Sequence, residues 1–192
     1  LGFKGGIGTS SRLLPKEIGG FTVGVLVQTN FGGSLMINGA PVGRELKKSP
    51  FSSNIPYDGE EGSCMIVIAT DAPLANRNLK RMAERVSHAF GRVGAYSSNG
   101  SGDYAIIFST YRPEYQDDKM ISSKELKNSL MNGLFMATVE ATEEAIINSL
   151  FMAESISSKY GKSQALPIDE TMKILKKYKA LNWNNKLYPW EK

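Results

Sequence analysis

Apolar positions along this chain form three strand-like runs and three stretches with helical spacing. Phe21–Gln28 (FTVGVLVQ) is rich in β-branched and aromatic residues and predicts a strand with a close backbone approach at Gly24, ending at Thr29-Asn30-Phe31-Gly32-Gly33. Cys64–Ala69 (CMIVIA) is apolar without alternation, which predicts a strand in a sheet covered on both faces. Tyr104–Ser109 (YAIIFS) predicts a third strand. Ser34–Ile37 reads as a short strand before the Asn38-Gly39 turn signal. Leu79, Met82, Ala83, Val86 and Phe90 mark one face of a single helix with Gly91 as its C-terminal cap, while Lys80, Arg81, Glu84 and Arg85 take the other face and His88 is half-exposed. Ser122–Glu125 (SSKE) fits a capping box that opens a long helix to about Glu154, and Pro167–Glu170 starts a last one. Gly161–Gln164 separates these two helices, and the tail with Trp183 and Trp190 is expected to pack on the body or on a neighbouring subunit.

Between these elements lie two unusual segments. Phe3–Arg12 (FKGGIGTSSR) reads as a glycine-rich turn, either a tight structural crossing or an anion nest; it lacks the closing Gly-Lys-Ser/Thr of a P-loop. Residues 45–62 are polar and weakly periodic, the composition of a surface loop open to cutting or disorder.

With 192 residues, 41% of them hydrophobic, the chain is long enough for one domain with a substantial core. The net charge is +4, but its densest basic group, Lys173, Lys176, Lys177 and Lys179, has no interleaved aromatics and reads as a solvated helix face, so nucleic-acid binding is not expected. One cysteine, Cys64, excludes an internal disulfide. Together with the one histidine, His88, it does not make a Cys/His metal site, and no cofactor is expected. No apolar run approaches the ~18 residues of a membrane span, and no membrane partner is expected. The chain opens on Leu1 rather than Met, so an N-terminal segment is expected to be missing; localisation stays open, with the cytoplasm favoured.

Candidate chemistry gathers at strand ends. Gly62-Ser63 leads directly into the Cys64 run, so a rigid element fixes the Ser63 hydroxyl while the glycine before it permits tight backbone geometry; a plain turn serine is the competing reading. Asn30, at the end of a buried strand, is able to point an amide donor into a cleft or to serve only as a turn residue. Ser101 and Asp103, two apart across a glycine, converge at the mouth of the Tyr104 strand unless they merely solvate a turn. Glu140, Glu143 and Glu144 form a wet helix face or ligate a basic group, with the wet face favoured.

Four stretches in order, Phe3–Arg12, Gly62–Pro73, Asn99–Thr110 and Val139–Ile146, resemble the DmpA-like L-aminopeptidase/D-esterase family, which includes the β-peptidyl aminopeptidases. The resemblance runs over nearly the whole chain. It implies a four-layer α/β/β/α sandwich of the Ntn-hydrolase-like kind, with a doubly wound sheet as the alternative. It implies a precursor that cuts itself at Gly62-Ser63, giving residues 1–62 as the end of an α-subunit and 63–192 as a β-subunit. Ser63 would then be the nucleophile, Asn30 an oxyanion donor, and Ser101 with Asp103 the supporting pair. Substrates would be short peptides, amides or esters. Partners would be the missing N-terminal part of the α-subunit and further copies in a homo-oligomer of processed heterodimers. The alternatives are an acyltransferase related to ornithine acetyltransferase, against which a serine rather than a threonine at position 63 argues, and a non-enzymatic anion-binding module built on Phe3–Arg12.

Overall fold

The computed structural model describes residues 1–50, 62–115, 121–122, 124–159 and 161–181. Four strands form one mixed sheet in the order β1 (Ile7–Leu13), β2 (Thr22–Asn30), β3 (Ser63–Thr70) and β4 (Gly102–Ser109). The first three are antiparallel neighbours, and β4 lies parallel to β3. The β3–β4 connection crosses over through two helices, α2 (Asn76–Ala83) and α3 (Val86–Arg92). The antiparallel pairs make this a mixed sheet, not a doubly wound one.

The segment read as a glycine-rich turn is largely strand β1. From Ile7 onward it lies in the ladder with β2, and the Gly6 N–H is taken by Thr29 Oγ1 at 3.2 Å, so these amides do not form an anion nest. Its glycines serve close packing: a Cβ on Gly8 would come within 1.9 Å of the Ala145 carbonyl oxygen in α4 (Met131–Phe151), the long helix across β1 and β2. The tight crossing is therefore the correct half of that expectation.

Val23, Val25 and Val27 of β2 and Cys64, Ile66 and Ile68 of β3 are buried under the helices, together with Met82, Leu134, Ala141 and Ile146. The opposite face of the sheet is not covered by the described residues, although it too carries large apolar side chains. Cross-strand register aligns Ile7, Met65 and Tyr104 in one row and Leu26 and Ile106 in the next, and all five are exposed. Among the described residues, the expectation of a sheet covered on both faces is thus met on one face only.

Other boundaries differ from the sequence reading. The helix expected through Gly91 is broken at Glu84-Arg85, Gly91 lies inside α3, and the chain reverses instead at Gly94 (φ +83), where the Ala95 N–H returns to the Phe90 carbonyl at 2.9 Å. Ser122 does not open the long helix: it lies in β6 (Ile121–Ser122), paired with β5 (Glu114–Tyr115), and α4 starts nine residues later at Met131. Ser34–Ile37 is not a strand; Ser34 and Met36 donate to the Gly94 and Val93 carbonyls, and only Ile37 bridges Ala40 around the predicted Asn38-Gly39 turn. Short helix α1 (Val42–Glu45) follows, hairpin β7 (Ile156–Ser158)–β8 (Gly161–Ser163) fills the connection expected to be a plain separator, and α5 (Ile168–Lys177) begins after Pro167 as expected. His88 is exposed. Most of the polar 45–62 loop and the Trp183–Trp190 tail lie outside the described residues.

The acidic face of α4 binds basic groups and is not a wet face. Arg12 of β1 reaches Glu140 at 3.2 Å and Glu144 at 2.5 Å, and Arg92 of α3 reaches Glu143 at 2.9 Å. Burial acts to raise the Glu144 carboxyl, but hydrogen bonds from Ser10 and Arg12 outweigh it and hold the group below its usual range. These pairs tie the first strand to the long helix.

Candidate active site at one end of the sheet

Strand register alone brings the predicted residues to one end of the sheet. Asn30, the last residue of β2, is the cross-strand partner of Ser63, the first of β3, and Ser63 is in turn the partner of Gly102 at the start of β4. Partners directly opposite project from the same face, so the exposed Asn30 and Ser63 side chains both look out on the open side. Alternation sends Cys64 the other way, where it is fully buried, as expected. Burial, assisted by the Asp103 charge, pushes its thiol up to about 12.

Asp103 follows the same alternation as Cys64 and approaches β3 from the helix side. Its Oδ1 accepts the Cys64 N–H at 3.0 Å, and its Oδ2 accepts the hydroxyls of Ser101 at 3.2 Å and Ser97 at 3.4 Å. The predicted Ser101–Asp103 convergence is present. The pair therefore sits against the main chain at Ser63-Cys64, while Ser63 Oγ faces the opposite side and accepts the Gly102 N–H at 3.3 Å. The backbone here is shaped by a turn over Ser98–Ser101, in which Ser101 N–H donates to the Ser98 carbonyl at 3.0 Å and Gly100 supplies φ +87.

Two contributors were not read from the sequence. Ser97 belongs to a polar turn whose composition gives no sign of a reach to Asp103, and it adopts φ +50, which serines seldom do. Gly102 contributes only its N–H, which no side-chain pattern reveals. The sequence expects a glycine's backbone freedom at Gly62, but the structure needs the glycine for a different reason. It is not among the positive-φ residues; instead a Cβ there would lie 2.6 Å from both the Asn30 carbonyl oxygen and Phe31 Cα. The glycine is needed because two strand ends meet at that point. Phe31 is itself fixed by ring packing on Phe90, with centroids 5.4 Å apart.

A hydroxyl held at a strand terminus, an amide beside it on the same face, and a carboxylate with two hydroxyls behind its main chain make a set able to perform nucleophilic acyl chemistry without histidine. Among the described residues there is no cluster of metal-binding side chains, and no helix is long and apolar enough to cross a membrane.

Comparison with known proteins gives the family of the chain. The model of Peptidase family S58 matches residues 1–164. The chain is 40% identical over 195 aligned positions to the β-peptidyl aminopeptidase BapA of Sphingosinicella microcystinivorans, covering 94% of this chain and 49% of that protein. The PH0078 protein of Pyrococcus horikoshii OT3 superimposes with a TM-score of 0.78 at 43% identity, over 92% of this chain and 48% of that one. The L-aminopeptidase D-Ala-esterase/amidase of Ochrobactrum anthropi, described as a prototype for the serine aminopeptidases and a new variant of the Ntn hydrolase fold, superimposes with a TM-score of 0.79 at 34% identity, over 94% of this chain and 50% of that one. This chain thus spans about half the length of the relatives it matches. The expected α/β fold of the Ntn-hydrolase kind holds. The chain belongs to Peptidase family S58.

Proposed function

We propose that this chain is the catalytic part of a self-processing aminopeptidase that releases N-terminal residues from short peptides, amides or esters. Ser63 is its nucleophile. The observation that carries this reading is the exposed Ser63 hydroxyl at the first position of β3, with Asn30 as its cross-strand partner on the same face.

In the processing step, Ser63 Oγ attacks the Gly62 carbonyl carbon, the acyl group moves from nitrogen to oxygen, and water hydrolyses the resulting ester. The chain then consists of residues ending at Gly62 and a second piece, 63–192, with a free amine on Ser63. In turnover, that amine accepts the Oγ proton as the oxygen attacks the substrate carbonyl. The tetrahedral oxyanion takes a hydrogen bond from the Asn30 amide, a donor worth about 3 kcal/mol in such a site. Collapse breaks the scissile C–N or C–O bond, the ammonium returns its proton to the leaving group, and water then releases the acyl group from Ser63. Asp103, with Ser101, stabilises the ammonium stage; the 3.0 Å contact from its Oδ1 to the Cys64 N–H supports a position one residue from that amine. The Gly102 N–H on Ser63 Oγ favours the developing negative charge. The apolar face that the described residues leave uncovered supports a further layer supplied by the remainder of the protein, which would complete the sandwich.

The test is hydrolysis of a small amino-acid p-nitroanilide by the full-length enzyme. The wild type is expected to release p-nitroaniline, and Ser63→Ala to lose at least 99% of that activity, an order of magnitude set by the loss of a covalent nucleophile. Equal turnover by the variant would reject Ser63 as nucleophile.

A further inference from the structure

Beside Asn30 the fold leaves a cleft of about 560 Å³ whose lining includes Phe3, Phe31, Lys48, Lys162 and Gln164. Among the described residues its charge is one-sided. Two lysines from distant parts of the chain line it, and no carboxylate does so among the described residues. The obvious acid to neutralise Lys48, Glu45, is already engaged: it receives Lys177 Nζ at 3.0 Å and the Tyr178 hydroxyl at 2.6 Å. Among the described residues neither Lys48 nor Lys162 forms an ion pair.

Both walls are held by main-chain contacts. The Lys4 N–H donates to the Gln164 carbonyl at 2.6 Å, which ties the β8 end of the hairpin to the chain entering β1. On the other side, the Lys48 N–H donates to the Gly43 carbonyl at 2.7 Å, and a Cβ on Gly2 would come within 3.2 Å of Lys48 Cβ, so residue 48 is seated on Gly2. The cations thus project from fixed backbone. As a sphere the cleft would be about 10 Å across, the length of about three extended residues.

We infer that this cleft is the leaving-group subsite and that Lys48 and Lys162 bind the C-terminal carboxylate of a short peptide whose scissile carbonyl lies at Asn30. The inference rests on the aminopeptidase reading for the position of that carbonyl. A carboxylate within about three residues of the bond cut selects free di- and tripeptides over longer chains and over peptides blocked as C-terminal amides. Phe3 and Phe31 supply apolar walls for the intervening side chain. Electrostatic selection of this sort also discriminates by unpaired charge, since an amide leaves both ammonium groups without a partner.

The experiment measures binding separately from turnover. A dipeptide whose scissile carbonyl is replaced by CH2 is prepared as the free acid and as the C-terminal carboxamide, and each is titrated calorimetrically into the full-length enzyme. The acid is expected to bind about tenfold more tightly, the scale of a charge-assisted contact in an open cleft. Lys48→Met/Lys162→Met is expected to erase that ratio without weakening the carboxamide, and Lys48→Arg/Lys162→Arg to restore it. Equal affinity for acid and carboxamide, failure of both to bind, or a preference that survives the double methionine variant would overturn the inference. Turnover of the ordinary dipeptide is followed in parallel. Its absence alongside a lysine-dependent acid preference would refute the aminopeptidase reading while leaving the carboxylate site in place.

Discussion

Adding a single methyl group at Gly62 should damage self-processing far more than it damages the fold. A Cβ at Gly62 would lie 2.6 Å from the Asn30 carbonyl oxygen and 2.6 Å from Phe31 Cα, about 0.8 Å inside the 3.4 Å of ordinary contact. Both obstacles are backbone atoms at the end of β2, so no side-chain rotation relieves the clash. Asn30 must move away from Ser63, or Gly62 must move relative to the hydroxyl proposed to attack it. Overpacking of this kind costs about 1–3 kcal/mol of stability, whereas a misplacement near 1 Å of reacting groups costs about 100-fold in rate. Gly62→Ala is therefore expected to slow the appearance of the two fragments by about 100-fold, followed by mass spectrometry after purification at low temperature. Material that does become cleaved should hydrolyse substrate at the wild-type rate, because residue 62 no longer precedes the proposed nucleophile. Gly91→Ala is the matched control: its Cβ meets nothing within 4 Å inside α3, and alanine is expected to add up to about 1 kcal/mol. Processing of Gly62→Ala at the wild-type rate would refute the steric argument.

Asp103→Asn should lower kcat/KM about 100-fold while the protein still folds, because the amide oxygen is still able to accept the Cys64 N–H but the charge that favours the ammonium is gone; a loss below about threefold across the pH range would reduce Asp103 to a turn residue. Cys64→Ser should leave turnover nearly intact at a modest cost in stability, since a hydroxyl replaces a fully buried thiol; lost turnover with intact folding would make Cys64 a participant. The same thiol carries a pH signature. Its pKa rises from 9.0 to about 12 on folding, so the unfolded chain releases this proton first and stability should fall as pH rises from about 9 towards 12. Melting temperatures from pH 8 to 11 should show a steeper decline for the wild type than for Cys64→Ser, and parallel curves would contradict it.

The placement of the candidate residues was more legible in the sequence than the elements that frame them. Ser63 and Asn30 were readable because each ends an apolar strand, and Ser101 and Asp103 because a two-residue spacing at a strand mouth fixes a shared side. What joined them, the pairing of Asn30 with Ser63 and of Ser63 with Gly102, is a long-range register that no local pattern encodes. The same limit hid the partners of Glu140, Glu143 and Glu144, which come from residues 12 and 92. Strand β1 is hidden in the sequence because its glycines look like turn residues, yet Gly8 is small so that α4 packs directly on the strand. Ser122 satisfied a capping pattern without a helix behind it, since Ser122 is paired into a short hairpin instead. The unbroken apolar run of β3 predicts cover on both faces, but among the described residues its outer face stays exposed at Met65, because what covers a sheet is a long-range matter that no local pattern settles.

The central claim is that Ser63 attacks the bond before it, and intact mass of the purified protein tests that most directly. The account predicts two fragments for the wild type, one ending at Gly62 and one beginning at Ser63, and a single uncut chain for Ser63→Ala. An uncut wild type, or cleavage at Gly62 that persists in Ser63→Ala, would contradict it.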